Sequence, residues 1–331
     1  MAVLVTGSAG HLGEALMRTL LEAGHESIGI DLKSSAFTHA TGSITNRDFV
    51  NSVMPGVHAV LHTATLHKPH VATHTRQDFV DTNITGTLNL LEEAAAAAVH
   101  TFVFTSTTSV YGRALSPSPG EPAAWITEKV VPEPKNIYGV TKLAAEQLCE
   151  LFHRLRGLSA LVLRTSRFFP ELDDRKETRE AYDDLNVKIN ELLYRRADIE
   201  DVVGAHLLAL ERARSIGFGR YIVSATTPFT PDDGRELRGN AAGVLSRRVP
   251  GYEDLYEARG WSMFPGIDRV YINQRARNEL GWRPQYDFAR AIALLRAGDD
   301  PRSDLARTVG AKGYHARIFA NGPYPVDESV F

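Results

Sequence analysis

The chain of 331 residues contains a single cysteine, Cys149. One cysteine excludes a disulfide framework and any zinc site that depends on cysteine ligands. Long hydrophobic runs are also absent, because apolar stretches such as 94–99 and 158–163 are far shorter than the ~20 residues that span a bilayer. The opening Met-Ala-Val-Leu-Val-Thr-Gly has neither a basic segment nor a long apolar one, so we expect no secretory signal. These absences predict a soluble, cytoplasmic protein without membrane contact.

A strong excess of one charge is missing too. The sequence has 37 basic and 40 acidic side chains, a formal net charge of −3. This balance argues against DNA, RNA or an anionic membrane as the main partner. Hydrophobic residues make up 43% and charged residues 23% of the chain, as in globular proteins, which excludes wholesale disorder.

Short apolar runs alternate with helical patterns in the first half of the chain. The predicted strands are 2–6, 27–31, 59–62, 101–106 and 160–164, and the predicted helices lie at 12–23, 47–53, 75–98 and 138–155. This alternation predicts an α/β fold of Rossmann type, a doubly wound parallel sheet with helices on both faces.

The periodicity weakens after Pro170. The segment 171–184 is rich in charge and predicts a solvated loop or a frayed helix. Further elements are expected, in chain order, at 199–212 (helix), 221–225 (strand), 270–273 (strand) and 287–297 (helix).

The length predicts roughly two domains, or one large α/β unit with an appendage. We assign residues 1–170 to a dinucleotide-binding Rossmann domain, to which 195–225 return. The rest of 171–331 forms a smaller C-terminal α+β substrate lobe, ending in a tail without clear period.

A glycine-rich turn follows the first predicted strand, where residues 6–13 are Thr-Gly-Ser-Ala-Gly-His-Leu-Gly. Gly7 and Gly10 would let the backbone approach a pyrophosphate at the positive end of a helix, and Gly13 would let that helix pack closely. Asp31 ends the second strand, where its carboxylate would bind ribose hydroxyls and repel a 2′-phosphate. The pattern predicts nucleotide binding, with NAD favoured over NADP; a purely structural turn is the alternative.

Tyr138 and Lys142 begin the long helix that follows a proline-rich loop. Residues i and i+4 share one face of a helix, so the phenol and the ammonium can point into one cleft. A free phenol titrates at about pH 10 and is a poor base at neutrality. A lysine ammonium and an oxidised nicotinamide nearby would stabilise the phenolate, and three pKa units correspond to about 4 kcal/mol. The pair predicts acid–base catalysis.

Hydroxyl side chains crowd the end of the strand at 101–106. Ligands bind at the carboxyl edge of open α/β sheets, so one of these hydroxyls should bond the substrate oxygen that Tyr138 protonates or deprotonates. Ordinary strand-end turn chemistry is the alternative. The residues concerned are Thr105, Ser106, Thr107, Thr108 and Ser109.

Together these motifs resemble the extended short-chain dehydrogenase/reductase family, in particular its NAD-dependent sugar epimerase/dehydratase branch. The resemblance covers 1–170 well, and 195–210 and 273–287 more loosely. It implies NAD as the cofactor and Tyr138, Lys142 and Thr107 as catalytic residues. The cofactor-binding residues that it implies, together with the motifs above, are Gly7, Ala9, Gly10, His11, Leu12, Gly13, Asp31, Ser43, Ile44, Thr63, Ala64, Thr65, Asn83, Thr105, Ser106, Tyr138 and Lys142.

Two departures from the family pattern bear on the reaction. Thr108 and Ser109 stand where the family's 4,6-dehydratases carry an Asp-Glu pair, which argues against elimination of water. After the strand at 160–164, a short acidic stretch replaces the long nucleotide-binding segment that is usual in the family's sugar epimerases.

Six residues are candidates for substrate binding. Arg167 and Arg196 suit an anionic group, phosphate or carboxylate, unless each is a structural ion-pair partner. His67 and Lys68 would lie in a loop over the substrate, and an exposed loop without a role is the alternative. The full set is His67, Lys68, Thr107, Thr108, Arg167 and Arg196.

No metal site is predicted. His67, His70 and His74 have helical spacing, but neither a carboxylate nor a cysteine completes a ligand set, and Pro69 interrupts any helix. Cys149 has no base beside it and is expected to be a small core residue.

The motifs predict an NAD-dependent oxidoreductase or epimerase of carbohydrate metabolism. It would transfer hydride at a secondary alcohol or ketone carbon of a sugar or nucleotide-sugar-like substrate. The alternatives are a ketoreductase or dehydrogenase acting on a non-nucleotide small molecule, and a non-catalytic NAD-binding sensor. The resemblance also implies a homodimer through the helices that begin near Thr75 and Tyr138.

Overall fold

The computed structural model describes residues 2–313, 315, 319 and 322. Seven of its strands form one parallel sheet in the order β3-β2-β1-β4-β5-β7-β8, and β6 and β9 form a second, two-stranded parallel sheet. The predicted fold class is confirmed. The strands are β1 (Ala2–Thr6), β2 (Ser27–Asp31), β3 (Ala40–Thr41), β4 (Val57–His62), β5 (Thr101–Thr107), β6 (Ala124–Ile126), β7 (Ser159–Thr165), β8 (Phe218–Val223) and β9 (Arg269–Tyr271).

Fourteen α-helices lie within the described residues. They are α1 (His11–Glu22), α2 (Arg47–Val53), α3 (Arg76–Val80), α4 (Gly86–Ala96), α5 (Ile137–Arg156), α6 (Lys176–Ala181), α7 (Asp184–Leu192), α8 (Ile199–Ile216), α9 (Gly234–Leu237), α10 (Ala241–Arg248), α11 (Tyr252–Arg259), α12 (Gln274–Glu279), α13 (Phe288–Ala297) and α14 (Asp304–Val309). None of them is long and apolar enough to cross a membrane.

The main sheet is buried on both faces, which is why its strands are continuous apolar runs rather than alternating ones. One core cluster packs α1 and α8 against one face. A second cluster packs α2, α4 and α5 against the other face, and Cys149 is one of its buried members.

Capping side chains and a glycine set the ends of the long helices. Asn136 caps α5 by accepting a hydrogen bond from the Gly139 amide, and the helix ends at Gly157 in the left-handed region. The predicted helix over 75–98 starts at the Thr75 cap, but a π-helical turn at Asp81–Thr85 separates α3 from α4. Such turns widen a helix and often accompany functional sites.

A further core cluster gathers α7, α9, α10, α11 and α13 around β9. The sequence predicted α13, at 287–297, but its periodicity did not predict α7, α9, α10 or α11. β8 pairs with β7 in the main sheet. α8 packs against one face of the same sheet. The boundary between the two predicted domains stays a prediction, and the end of the predicted tail, 323–331, lies outside the described residues.

The charged segment 171–184 differs from the expected solvated loop. It contains α6, and Asp183 caps α7. Asp173 and Asp174 are only 5% and 8% exposed. The expectation is wrong at these two residues because they form ion pairs with the nearby Arg167 and with the distant Lys68 and Arg195.

Candidate active site

A cleft of about 1010 Å³ lies at the carboxyl edge of the main sheet. The β1–α1 turn, the ends of β2, β4, β5 and β7, and the start of α5 all contribute lining residues. Parallel strands present their carboxyl ends at the same edge, which makes this edge the usual place for a ligand in an open α/β sheet.

The glycine-rich turn forms one wall of this cleft. Gly7 has a φ of +74° and donates its amide to Ile30 O at 2.8 Å, which joins the ends of β1 and β2. A Cβ at Gly13 would stand 1.9 Å from Gly7 O. Only glycine fits these two places, and the turn leaves the positive end of the twelve-residue α1 facing the cleft.

Asp31 ends β2 beside this turn and lines the cleft. Its two carboxylate oxygens accept hydrogen bonds from the Ala9 amide at 3.1 Å and the Lys33 amide at 2.8 Å. Ser43 and Ile44 line the same part of the cleft.

Thr63, Ala64 and Thr65 follow β4 and line the cleft beside the glycine turn, since a Cβ at Gly7 would stand 2.9 Å from the Ala64 amide nitrogen. The Thr6 hydroxyl accepts hydrogen bonds from the Thr63 and Ala64 amides at 3.1 and 3.0 Å, which fixes this segment on β1. His62 is fully buried between Thr6 and Thr87, and burial holds the pKa of its imidazole well below the ordinary value.

Asn83 lies behind the cleft wall and is 2% exposed. Its amide donates to Leu66 O at 2.9 Å and to the Thr141 hydroxyl at 3.0 Å, and its oxygen accepts from the Leu66 amide and the Thr65 hydroxyl. These four bonds position the segment after β4 against α5. The structure does not bring Asn83 to the cleft surface, where the sequence predicts a cofactor contact.

Tyr138 and Thr107 meet within the cleft. Tyr138 is 8% exposed, and burial raises the pKa of its phenol to about 12, although the neighbouring Thr107 hydroxyl acts in the opposite direction. The lowered phenol pKa expected from the sequence is therefore not a property of the protein alone.

Lys142 lies one helical turn beyond Tyr138 and is 2% exposed. Its ammonium is 4.0 Å from the centroid of the Phe104 ring. Burial lowers the pKa of Lys142 to about 7, against the opposing effects of Cys149 and Glu146. Lys142 is not among the residues that line the cleft, although the sequence predicts that its ammonium shares a cleft with the Tyr138 phenol.

The hydroxyls at the end of β5 have different partners. Thr105 bonds His206 at 2.8 Å, and Ser106 donates to Glu146 at 2.6 Å. Glu146 is itself buried in an ion pair of 2.7 Å with Arg164. Thr107 and Thr108 also line the cleft, and the Thr107 hydroxyl accepts a hydrogen bond from the Ser109 amide at 3.1 Å.

Five of the six predicted substrate residues line the cleft, namely His67, Lys68, Thr107, Thr108 and Arg167. Arg167 lines it, with ion pairs of 2.5 Å to Asp173, 2.9 Å to Glu191 and 3.3 Å to Asp174. Lys68 pairs with Asp174 at 2.7 Å.

Arg196 lies outside the cleft lining. Its Nε donates to Glu191 at 2.7 Å and its Nη1 to the Phe169 carbonyl at 2.9 Å. Its guanidinium thus has the structural ion-pair role that the sequence left as an alternative. His67 does line the cleft, where it packs on Phe169 and His70, and burial lowers the pKa of its imidazole. No group of three His, Cys, Asp or Glu side chains suited to a metal occurs in the described part of the chain.

The sequence matches the model of the NAD dependent epimerase/dehydratase family over residues 3–223. The chain belongs to this family.

Full-length similarity reaches epimerases and a dehydratase. A UDP-glucose 4-epimerase of Corynebacterium glutamicum is 25% identical over 323 residues, which cover 88% of this chain and 93% of that protein. A dTDP-glucose 4,6-dehydratase of Streptomyces antibioticus is 29% identical over 335 residues, covering 88% and 90%. For three further curated relatives, at 30–31% identity, the chain spans only 39%, 47% and 55% of their length.

Solved structures share the fold. A short-chain dehydrogenase/reductase superfamily protein from Agrobacterium tumefaciens with bound NAD has a TM-score of 0.65 at 24% identity, covering 93% of this chain and 99% of that one. The UDP-glucose 4-epimerase of Thermotoga maritima with UDP-glucose has a TM-score of 0.62 at 22% identity, covering 90% and 99%.

In this member of the epimerase/dehydratase family, the cleft also contains residues that the sequence motifs did not indicate. Ser166, Arg195 and Arg269 line it. Arg195 immediately precedes the predicted Arg196, and Arg269 precedes the predicted strand at 270–273. The only signal in the sequence was therefore their adjacency to residues already singled out.

Proposed function

We propose that the protein is an NAD-dependent oxidoreductase or epimerase of the extended short-chain dehydrogenase type. It transfers hydride at a secondary alcohol or ketone carbon of a sugar or nucleotide-sugar-like substrate. The observation that carries the proposal is the meeting of Tyr138 and Thr107 in the same cleft as the glycine turn.

The cleft fits NAD on several observations. A Cβ at Gly7 would stand 2.9 Å from the Ala64 amide, so the turn is a cradle that a side chain would fill. Gly7 to Gly13 would hold the pyrophosphate, Asp31 the adenosine ribose, and Thr63 to Thr65 the nicotinamide half. Bound NAD supplies a hydride acceptor and, in its oxidised form, a positively charged ring.

Tyr138 acts as the acid–base group. At pH 7, loss of a proton from a phenol with a pKa of about 12 costs roughly 7 kcal/mol. Thr107 stabilises the phenolate and holds the substrate oxygen, and Lys142, when protonated, adds positive charge one helical turn further along α5. The phenolate then accepts the proton of the substrate hydroxyl. The hydride would leave the carbon that bears this hydroxyl and pass to the nicotinamide.

Net oxidation and epimerisation share this half-reaction. An epimerase would keep its reduced cofactor and return the hydride to the other face of the ketone. A dehydrogenase would release the reduced cofactor. A ketoreductase or dehydrogenase acting on a non-nucleotide small molecule is the second candidate, since the segment after β7 is short and folds back as α6. Thr108 and Ser109 offer no carboxyl group for a dehydration.

The test is a screen of sugars, sugar acids and nucleotide sugars for NADH fluorescence, together with an assay for NAD retained after purification. Tyr138→Phe should lower turnover by roughly 10²- to 10⁴-fold and keep NAD binding. Tyr286→Phe, which changes a tyrosine outside the cleft, is the matched control. Unchanged turnover in Tyr138→Phe would contradict catalysis and favour a non-catalytic NAD-binding sensor.

The domain division, the assembly and the location belong to the same proposal. Residues 1–170 with 195–225 would form the dinucleotide-binding domain, and the rest of 171–331 the substrate lobe. Val140 and Leu155 on α5 are 49% and 70% exposed, which supports a homodimer through α4 and α5. The cytoplasm supplies both NAD and activated sugars.

A further inference from the structure

Three polar atoms of residues that line the cleft are buried without a hydrogen-bond partner among the described residues. They are Ser166 Oγ, Arg195 Nε and Arg269 Nε. All three residues line the cleft, and Ser166 is only 4% exposed. The ring nitrogens of His11, in the glycine turn, also lack a hydrogen-bond partner, but they lie in the cofactor part of the cleft. Buried donors without partners are rare in native proteins, because each has given up its hydrogen bonds to water. Three of them in one part of a cleft indicate a ligand that supplies acceptors.

The backbone brings these three residues together from separate elements. Ser166 follows Thr165, the last residue of β7. Arg195 is held beside it, because the Arg167 amide donates to Arg195 O at 3.1 Å. The Tyr271 amide donates to Tyr194 O at 3.1 Å, which ties β9, and with it Arg269, to the residue before Arg195.

The charges in this region favour an anion. Arg167, Arg195 and Arg196 all pair with Glu191, and Asp173 and Asp174 complete a network that also includes Lys68. In the described part of the chain, this network therefore contains four cationic side chains and three carboxylates. Arg269 adds a further positive charge and has no ion pair within the described part of the chain, and the acidic Glu171 also lines the cleft.

The site lies close to the proposed reacting carbon. Thr165 pairs with Thr107 across the β5–β7 ladder. Neighbouring strands are about 4.8 Å apart, so the backbone of Ser166 lies one residue beyond the strand position beside Thr107. An anion bound here belongs to the sugar itself rather than to a distant nucleotide.

We propose that Ser166, Arg195 and Arg269 bind one anionic group carried by the sugar, a carboxylate or a phosphate monoester. The proposal rests on the proposed function, because it names the substrate class of the same cleft. Two guanidinium N–H groups and a hydroxyl match the oxygens of such a group. The arginines predicted from the sequence, Arg167 and Arg196, then hold the wall of the site through their carboxylate partners.

The test compares four probe classes on the NAD-loaded protein, by calorimetry and by NADH fluorescence. The classes are neutral aldoses, the corresponding uronates and aldonates, the corresponding sugar phosphates, and nucleotide-diphosphate sugars. We expect a sugar acid or a sugar phosphate to bind roughly tenfold or more tightly than its neutral parent. Binding of the sugar acids would identify the anionic group as a carboxylate, and binding of the sugar phosphates would identify it as a phosphate.

Arg269→Gln should weaken that anionic ligand roughly tenfold to a hundredfold and leave its neutral parent within about twofold. Ser166→Ala is a milder second variant, expected to weaken the anion several-fold without disturbing the fold. Arg235→Gln removes the same charge from an exposed position outside the cleft and should change nothing.

Equal affinity for neutral parents, tight binding of nucleotide-diphosphate sugars alone, no anion binding up to about 10 mM, or an unaltered anion affinity in Arg269→Gln would each overturn the anion site. If anions bind as proposed but neither NADH nor an epimer forms, the anion site stands and the proposed function fails. If NADH forms only from neutral sugars, the proposed function stands and the anion site fails.

Discussion

Asn83 donates a hydrogen bond of 3.0 Å to the hydroxyl of Thr141, the residue before Lys142 on α5. The same side chain makes three further bonds to residues 65 and 66, after β4. One buried amide thus joins the wall of the cleft to the helix that carries Tyr138 and Lys142.

Asn83→Ala should therefore lower both stability and turnover. Leaving its buried partners unsatisfied costs about 1–3 kcal/mol of unfolding free energy, and the shift of α5 should lower kcat more than the affinity for NAD. Urea unfolding, kcat and NAD titration measure the three effects. Asn278→Ala, at an exposed asparagine of α12, is the control. If Asn83→Ala weakens NAD binding while kcat is kept, Asn83 contacts the cofactor directly, as the sequence predicts.

Gly13→Ala tests the close packing of α1 on the turn. The added Cβ would meet the Gly7 carbonyl at 1.9 Å, so the turn must deform. We expect NAD affinity to fall by at least about a hundredfold, because a clash of this kind costs several kcal/mol. The same substitution at Gly204 in α8, where a Cβ meets nothing within 4 Å, should stabilise the protein by roughly 0.5–1 kcal/mol. Equal effects of the two substitutions on NAD affinity would contradict the role of the turn.

The sequence predicts those parts of the site whose residues are close together in the chain. The glycine turn, Asp31 and the Tyr138–Lys142 pair are spacings within one strand–helix unit, and the structure brings Tyr138, Asp31 and the turn to one cleft. The burial of Asp174 could not be predicted, because one of its cationic partners, Lys68, is 106 residues away in the chain, although the other, Arg167, is seven residues away.

The same limit applies to the arginines. Arg167 and Arg196 are candidates in the sequence because of their charge, but charge alone does not say which guanidinium faces a carboxylate inside the fold. Glu191 decides this, and it lies in α7, a helix that the periodicity of the sequence did not predict. Likewise, the effect of burial on the Tyr138 phenol depends on packing that no spacing reveals.

The buried lysine makes stability depend on pH. Lys142 has a pKa of about 7 in the folded protein, against about 10.4 for an unfolded lysine. Between these two values the unfolded chain binds a proton at this residue and the folded chain does not, so stability without cofactor rises with pH across this window. Below pH 7 the full penalty applies, roughly 5 kcal/mol.

Lys142→Met should consequently stabilise the cofactor-free protein at pH 6, and the gain should shrink towards pH 10. Urea unfolding of both proteins at the two pH values measures this. Lys129→Met, at an exposed lysine, should show no such pH dependence. A gain that is the same at both pH values would mean that burial does not discharge Lys142.

The proposed homodimer provides the last prediction. Val140 and Leu155 expose apolar surface on α5, and burying each in an interface would contribute about 1.5–3 kcal/mol. Replacing both by glutamate should therefore halve the mass measured by light scattering at micromolar concentration, while the circular dichroism spectrum stays unchanged. Leu172→Glu, at a leucine of similar exposure (52%) outside α4 and α5, should leave the mass as it is. A wild-type protein that is already monomeric, or a double variant that keeps the dimer mass, would rule out this pair of helices as the interface.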